Sequence, residues 1–271
     1  MLASTMRTLP ELAKFVNGSG FPLQIAVERA VHQTSTKWAV LHREHAWLHA
    51  NGQSGFADLI IANDHNCVMT IECKRVQESD WIFITEDSPE KTVSSRIFIN
   101  NTKGHGREHH GYFDLQSSPS SFESDFCVIA GQDAKSRPLL ERIASEVCTA
   151  SEAVAQEEWP HANARSYGFR CYVGVVVTTA RLSVSAIDPA EVSLADGQAE
   201  NQTITEVPWI RFRKQLSHDL AVPPENLDWS FNGISKAKEK LTFVVNSGHL
   251  VRFLDKWGLF NESLRPLVRA G

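Results

Sequence analysis

GFADLIIANDHNCVMTIECKR, residues 55–75, is the stretch on which the reading of this chain turns. Two runs rich in β-branched and apolar residues flank the polar turn NDHNC, which predicts a hairpin with strands near 56–62 and 68–76. Charges interrupt both runs: Asp58 in the first, Glu72 and Lys74 in the second. Successive side chains of a strand face opposite ways. Glu72 and Lys74 therefore share a face with Val68, Thr70 and Val76, while Met69, Ile71, Cys73 and Arg75 share the other. Asp58 goes with Phe56, Ile60 and Ala62. With the turn centred near His65, partner numbers sum to about 130, and Asp58 falls opposite Glu72. Opposed Cβ atoms lie about 4.5–5.5 Å apart, where like charges destabilise a sheet unless something compensates. A hard divalent cation such as Mg²⁺ is one compensation, since it takes oxygen donors and keeps open positions for water. The plainer alternative is a solvated charge cluster in which Lys74 neutralises Glu72. The apolar flanks of both strands, and the Gly52–Gly55 segment that lets backbone pass close to Asp58, weigh toward a site.

The bulk numbers bound the setting. A chain of 271 residues, 42% hydrophobic and 22% charged, is that of a soluble globular protein, one large domain or a core of about 150 residues with an extension. No apolar run nears the roughly 18 residues of a spanning helix, and the N-terminus has no signal-peptide core, so no membrane partner is expected. Cysteines at 67, 73, 127, 148 and 171 form no CxxC pair and predict buried thiols in a reducing, cytoplasmic compartment. A net charge of -5 gives no global basic footprint and counts against charge-driven, non-specific DNA binding. It leaves room for a carboxylate-rich metal site with a local basic groove. No P-loop, GxGxxG or GxSxG is present, so nothing points to NTP hydrolysis, dinucleotide binding or acyl transfer.

Helices are predicted over 9–17, over about 22–36 (Pro22 at its start; Leu23, Val27, Ala30, Val31 and Thr34 on one face), over 136–158 and over about 247–257. Strands are predicted at 42–50, 81–84, 95–100, 126–130, 169–180, 206–214 and 240–246, with loops over 101–111 and 181–204. FRCYVGVVVTTA (169–180) is apolar enough for burial on both faces. The order is that of a mixed α/β protein without a visible linker.

A helix, then GFADLII, then a strand ending IECK, then a helix and a further strand resembles the PD-(D/E)XK nuclease superfamily, over residues 21 to about 180. The resemblance implies a restriction-endonuclease-like mixed β-sheet flanked by helices, an αβββαβ core, with a C-terminal α+β extension over about 181–271. Ala57 stands where that family often has proline, and Cys73 fills the variable middle position of its E-x-K. Carried over residue by residue, Asp58 and Glu72 would hold one or two Mg²⁺ ions (Mn²⁺ substituting), with the Cys73 backbone carbonyl as a further ligand. Lys74 would orient or activate the attacking water. Glu28, in the first helix beside Gln24 and His32, is the candidate for that family's helical glutamate, in metal binding and in catalysis. The implied activity is metal-dependent hydrolysis of nucleic-acid phosphodiesters, with DNA the favoured substrate, in a setting such as restriction, defence or DNA processing. The implied partners are nucleic acid and, as a candidate, a second copy of the chain. The alternative is a non-catalytic nucleic-acid-binding or assembly module that keeps the same fold.

Other clusters offer less. In WIRFRK (209–214), Trp209, Arg211 and Arg213 share a strand face and Lys214 follows, which suits either nucleic-acid contact or a plain exposed strand. HGREHHG (105–111) reads as a loop before it reads as a zinc site, because its glycines oppose a helix although His105 and His109 are four apart. His42, His45 and His49 lack the HExxH signature and are assigned to surface or core.

Overall fold

The computed structural model describes residues 7–64, 66–77, 79–86, 89–102, 109–131, 139–161, 169–216 and 230–268. The opening hairpin is its centre. Strand β2 (Ser54–Asn63) pairs antiparallel with β3 (Cys67–Lys74), and the recorded partners Leu59↔Ile71, Ile60↔Thr70, Ile61↔Met69 and Ala62↔Val68 each sum to 130, the register the turn predicts. Asn66 supplies the left-handed residue of that turn (φ 62°), a conformation its short side chain tolerates, and Asn63 Oδ1 accepts the Cys67 N–H at 3.1 Å.

Strand β1 (Trp38–Leu48) precedes β2 and pairs with it antiparallel. It starts four residues earlier than expected, because the helix before it stops early. Helix α2 (Phe21–Val31) ends where the Thr34 hydroxyl bonds the carbonyls of Val31 and Thr36, the side-chain competition that makes threonine a poor helix interior. Strand β9 (Phe169–Thr178) lies parallel to β3 from Cys67↔Cys171 to Lys74↔Thr178. Parallel neighbours need a crossover, and the long helix α3 (Leu139–Glu158) belongs to it.

The two faces of the sheet are covered separately. Leu23, Val27 and Val31 of α2 pack on Leu59, Ile61, Met69, Ile71, Val173, Val175 and Val177. On the other face Ala150, Ala153 and Val154 of α3 meet Ile60, Val68 and Tyr172, while Ile143 and Val147 meet Val176. Gly174 lets α3 in: a Cβ there would stand 3.2 Å from Val147 Cγ1. The protein is thus a mixed α/β structure with a large mixed sheet flanked by helices.

The far edge of β9 is divided. Strand β13 (Glu239–Asn246) pairs parallel with its C-terminal half, and β5 (Thr92–Asn101) pairs antiparallel with its N-terminal end. Strands β12 (Trp209–Gln215) and β7 (Glu123–Ser124) continue outward from β13, and β6 (His109–Ser121) and β14 (Gly258–Leu259) from β5, giving ten strands. A second sheet has the order β11 (Thr203–Glu206), β10 (Arg181–Ile187), β4 (Asp80–Glu86), β8 (Phe126–Ile129). The expected loop 181–204 therefore contains β10 and the start of β11. Ser183 and Ser185, small polar residues buried beside Leu182 and Val184, interrupt the apolar run that would mark a strand in the sequence. The region after residue 180 is woven into both sheets: helix α5 (Leu250–Lys256) even shares the core of α2. Three helices complete the chain, α1 (Leu9–Gly18), α4 (Phe231–Ala237) and α6 (Asn261–Val268).

Beneath α3 lies a buried polar knot. Glu152 Oε1 accepts from the Tyr112 hydroxyl (2.6 Å) and from Lys240 Nζ (2.6 Å), and Oε2 lies 3.2 Å from His49 Nε2. It ties α3 to β6, β13 and the residue following β1. Burial pushes the Glu152 carboxyl up, but His49, Lys240 and Tyr112 together hold it below its usual range. Its hydrogen bond to Glu152 raises His49. Glu152→Ala strands the Lys240 charge in the interior, and a loss of about 3–5 kcal/mol is expected in urea unfolding. The Glu152 contribution is present above its ordinary value near 4.5 and is lost as pH falls through the lowered one. That of His49 is present below 6.5 and is lost as pH rises through the raised one. The stability gap between wild type and variant is therefore widest from about pH 4.5 to 6.5.

Candidate active site

Asp58 sits where β2 parts from β3. The last recorded pair is Leu59↔Ile71, one step short of the expected Asp58 and Glu72 partnership. Strict alternation breaks at the same place, since Ala57 packs with Ile60 and Ala62 beneath α3. Beyond the ladder the Asp58 side chain takes over: Oδ2 accepts the Cys73 N–H at 2.6 Å. The Asp58 carbonyl accepts from Gln24 Nε2 (2.8 Å), so α2 touches this point through Gln24.

Glu72 and Lys74 project side by side, with Lys74 Nζ 2.5 Å from Glu72 Oε1. The glutamate side chain is only 16% exposed. Burial raises the Asp58 carboxyl above its usual range, against the Cys73 N–H and the Lys74 charge. Burial also raises Glu72, and the Asp58 charge adds to it, against Lys74. Two carboxylates thus share a desolvated corner in which each is costly to ionise. Next to Glu72 in sequence, the buried Cys73 thiol is pushed far up by burial and by both carboxylates. It is inert as a nucleophile.

Glu28 is not brought into this corner. It is spent on Arg43 of β1, whose Nε donates to Glu28 Oε1 at 2.9 Å. Among the described residues, no group of three or more His, Cys, Asp or Glu side chains is arranged to hold a metal ion. The acid that sequence reasoning passed over is Glu44. It occupies β1 with φ 48°, a left-handed kink, and its charge is felt at Asp58. Nothing in HREHAW marks the kink, because only the pairing of β1 with β2 reveals it.

The proposed nucleic-acid strand is corrected by its surroundings. Arg211 is fully buried. Its guanidinium donates to Ser95 Oγ (3.2 Å), Pro119 O (3.0 Å), Ser121 Oγ (2.8 Å), Ser117 O (2.8 Å) and Ser117 Oγ (3.1 Å), and it lies 4.9 Å from the Phe243 ring centroid. Burial pushes it down to about 10. Arg213 pairs with Glu123 (3.1 Å) and Asp114 (3.6 Å), and Lys214 with Glu141. Arg211 and Arg213 hold strands together and Lys214 ties β12 to α3, so all three are engaged by protein partners.

His45, His49 and His110 are held by protein partners. His45 lies 2.9 Å from Glu157, and His49 belongs to the Glu152 knot. His105 lies outside the described residues, while His109 and His110 open β6, where His110 Nδ1 meets Asn100 Oδ1 at 2.6 Å.

A cavity of about 500 Å³ opens beside Glu72, between β3, the end of the β1–β2 hairpin and the first half of α3. Comparison of the chain with protein-family models, with characterised proteins and with solved structures finds no match.

Glu72→Gln removes a charge that burial disfavours, at the cost of its ion pair with the partly exposed Lys74. Because the folded-state value of Glu72 is raised, the native state binds more protons than the unfolded chain, and stability falls as pH rises through that window. The variant is expected to melt at or above wild type at pH 7–8 in EDTA, with the difference closing as the pH is lowered toward 4. A drop of several degrees would make Glu72 a structural residue. Arg211→Met, by contrast, orphans the serines and carbonyls around it, and a loss of about 3 kcal/mol or more is expected in the same melts.

Proposed function

We propose that this protein is a metal-dependent nuclease of the PD-(D/E)XK type, hydrolysing phosphodiester bonds of nucleic acid, with DNA as its first substrate. One observation carries the reading: Asp58 and Glu72, two desolvated carboxylates both raised above their usual range, stand with Lys74 where β2 and β3 separate. The succession α2, β1, β2, β3, α3, β9, with β9 parallel to β3, supports a restriction-endonuclease-like core carrying an insertion between β3 and α3.

The donor set fits Mg²⁺, which is commonly held by one or two carboxylates together with water and substrate phosphate. Asp58, Glu72 and the Cys73 carbonyl would hold it, with Glu44, whose charge reaches Asp58, as a further acid in place of Glu28. When bound, such an ion acidifies a water and offsets charge on the phosphoryl oxygens. The remaining work falls to the chain. Cys73 N–H fixes Asp58 through Oδ2, leaving Oδ1 as its ligating oxygen. Gln24 anchors the backbone at the same residue. Lys74 carries three N–H donors, so it can keep Glu72 and still orient the attacking water or meet a phosphate oxygen. Water attacks phosphorus in line and the leaving oxygen departs protonated, without a covalent enzyme intermediate.

The test is cleavage of plasmid and oligonucleotide DNA, and of RNA, in Mg²⁺ or Mn²⁺. Asp58→Ala and Lys74→Ala are each expected to slow cleavage at least about 100-fold. Glu44→Ala should cost more than Glu28→Ala. A wild type inert on every substrate with both metals, or variants as active as wild type, would overturn the proposal. The former result would favour a binding module in which Lys74 only neutralises Glu72.

A further inference from the structure

We infer that the cavity beside Glu72 receives a single nucleobase, resting on the nuclease reading for the idea that the base belongs to a substrate strand. Its volume, about 500 Å³, lies within the range of small-molecule sites. The wall is chemically mixed. Val147 and the Trp47 indole give it apolar surface, and Phe56 stands at the strand end with its ring 68% exposed. An exposed aromatic ring of this kind offers a stacking platform to any base.

Two buried polar groups of the wall have no hydrogen-bond partner: the Thr70 hydroxyl and the Trp47 indole N–H. Both residues are more than nine-tenths buried, and protein interiors rarely leave such groups unsatisfied. The Trp47 ring packs closely on Gly55, where a Cβ would come within 2.8 Å of it. A polar ligand reaching the cavity floor would satisfy them.

The charges of the wall select among ligands. Glu72 and Glu146 both line it, and each is repulsive to a phosphate lodged inside. An aliphatic ligand would leave Thr70 and Trp47 unanswered. A neutral heterocycle with ring acceptors and exocyclic amines answers the carboxylates and the orphan donors together. Its phosphate would remain outside, toward Lys74 and toward Arg142, which also lines the cavity.

The experiment titrates dAMP, dGMP, dCMP and TMP into the full chain in EDTA, following NMR shifts, with inorganic phosphate and ribose 5-phosphate as controls. At least one nucleotide should bind saturably and the controls should not. Thr70→Val and Trp47→Phe should each weaken that nucleotide about fivefold to tenfold. Thr70→Val should do so without lowering Tm, because its hydroxyl has no protein partner to lose. No saturable binding, equal binding of inorganic phosphate, undiminished affinity in both variants, or a lowered Tm for Thr70→Val would each overturn the inference. The source of the base is read from oligonucleotide cleavage. A raised KM with little change in kcat in Thr70→Val assigns it to the substrate strand, and unchanged cleavage assigns it to a free nucleotide. Asp58→Asn should abolish cleavage and keep nucleotide binding. A protein that binds nucleotides yet cuts nothing loses the nuclease reading alone, and one that cuts but binds none loses the base pocket alone.

Discussion

The parallel pairing of β3 with β9 is the contact on which the rest hangs. It obliges the chain to cross over the sheet, which places α3 on one face and leaves α2 and α5 to cover the other. It also buries β3 on both sides up to Ile71, so that Glu72 and Lys74 emerge at the end of the strand, where it first touches solvent. Because β9 holds the end of β3 as far as Lys74↔Thr178, β2 alone is free to veer away. The carboxylate of Asp58 then fills the place where a strand carbonyl would have been. The site follows from the sheet's geometry at that fork.

Electrostatics are handled in two contrasting ways in one molecule. In the Glu152 knot and around Arg211, every buried charge is met by partners enough to hold it in its ionised form or to solvate it. At Asp58 and Glu72 burial wins over the compensating groups, and the carboxyls stay raised. The partners of these two carboxylates, the Cys73 N–H and Lys74, offset only part of the cost of burial, in contrast to those of Glu152.

How much of this was legible in the sequence depended on whether neighbours in space were neighbours along a strand. The hairpin register was legible because a short turn fixes it and a one-residue slip would turn Leu59, Ile61, Met69 and Ile71 from the α2 side to the α3 side of the sheet. The side-by-side placing of Glu72 and Lys74 was legible for the same reason, whereas Asp58 lies past the last pair, Leu59↔Ile71, where alternation fails. Arg211 and Arg213 misled because alternation says which residues share a face and not whether water covers it. The serines that solvate Arg211 lie about a hundred residues earlier, in polar strands that show no apolar period. Glu28 misled because its helix position was right and its partner, Arg43, lay on another strand. Glu44 was invisible, since a left-handed residue inside a strand has no signature in its own side chain.

The central pairing also has a cost in time. Residue 67 of β3 meets residue 171 of β9, and β13 joins only near residue 242. A nascent chain therefore carries an apolar hairpin with an open edge for about a hundred residues of synthesis before its neighbour exists. Non-local pairing of this kind folds slowly and exposes strands to mispairing. The charges at the end of β3 break up an edge that waits about a hundred residues for its partner.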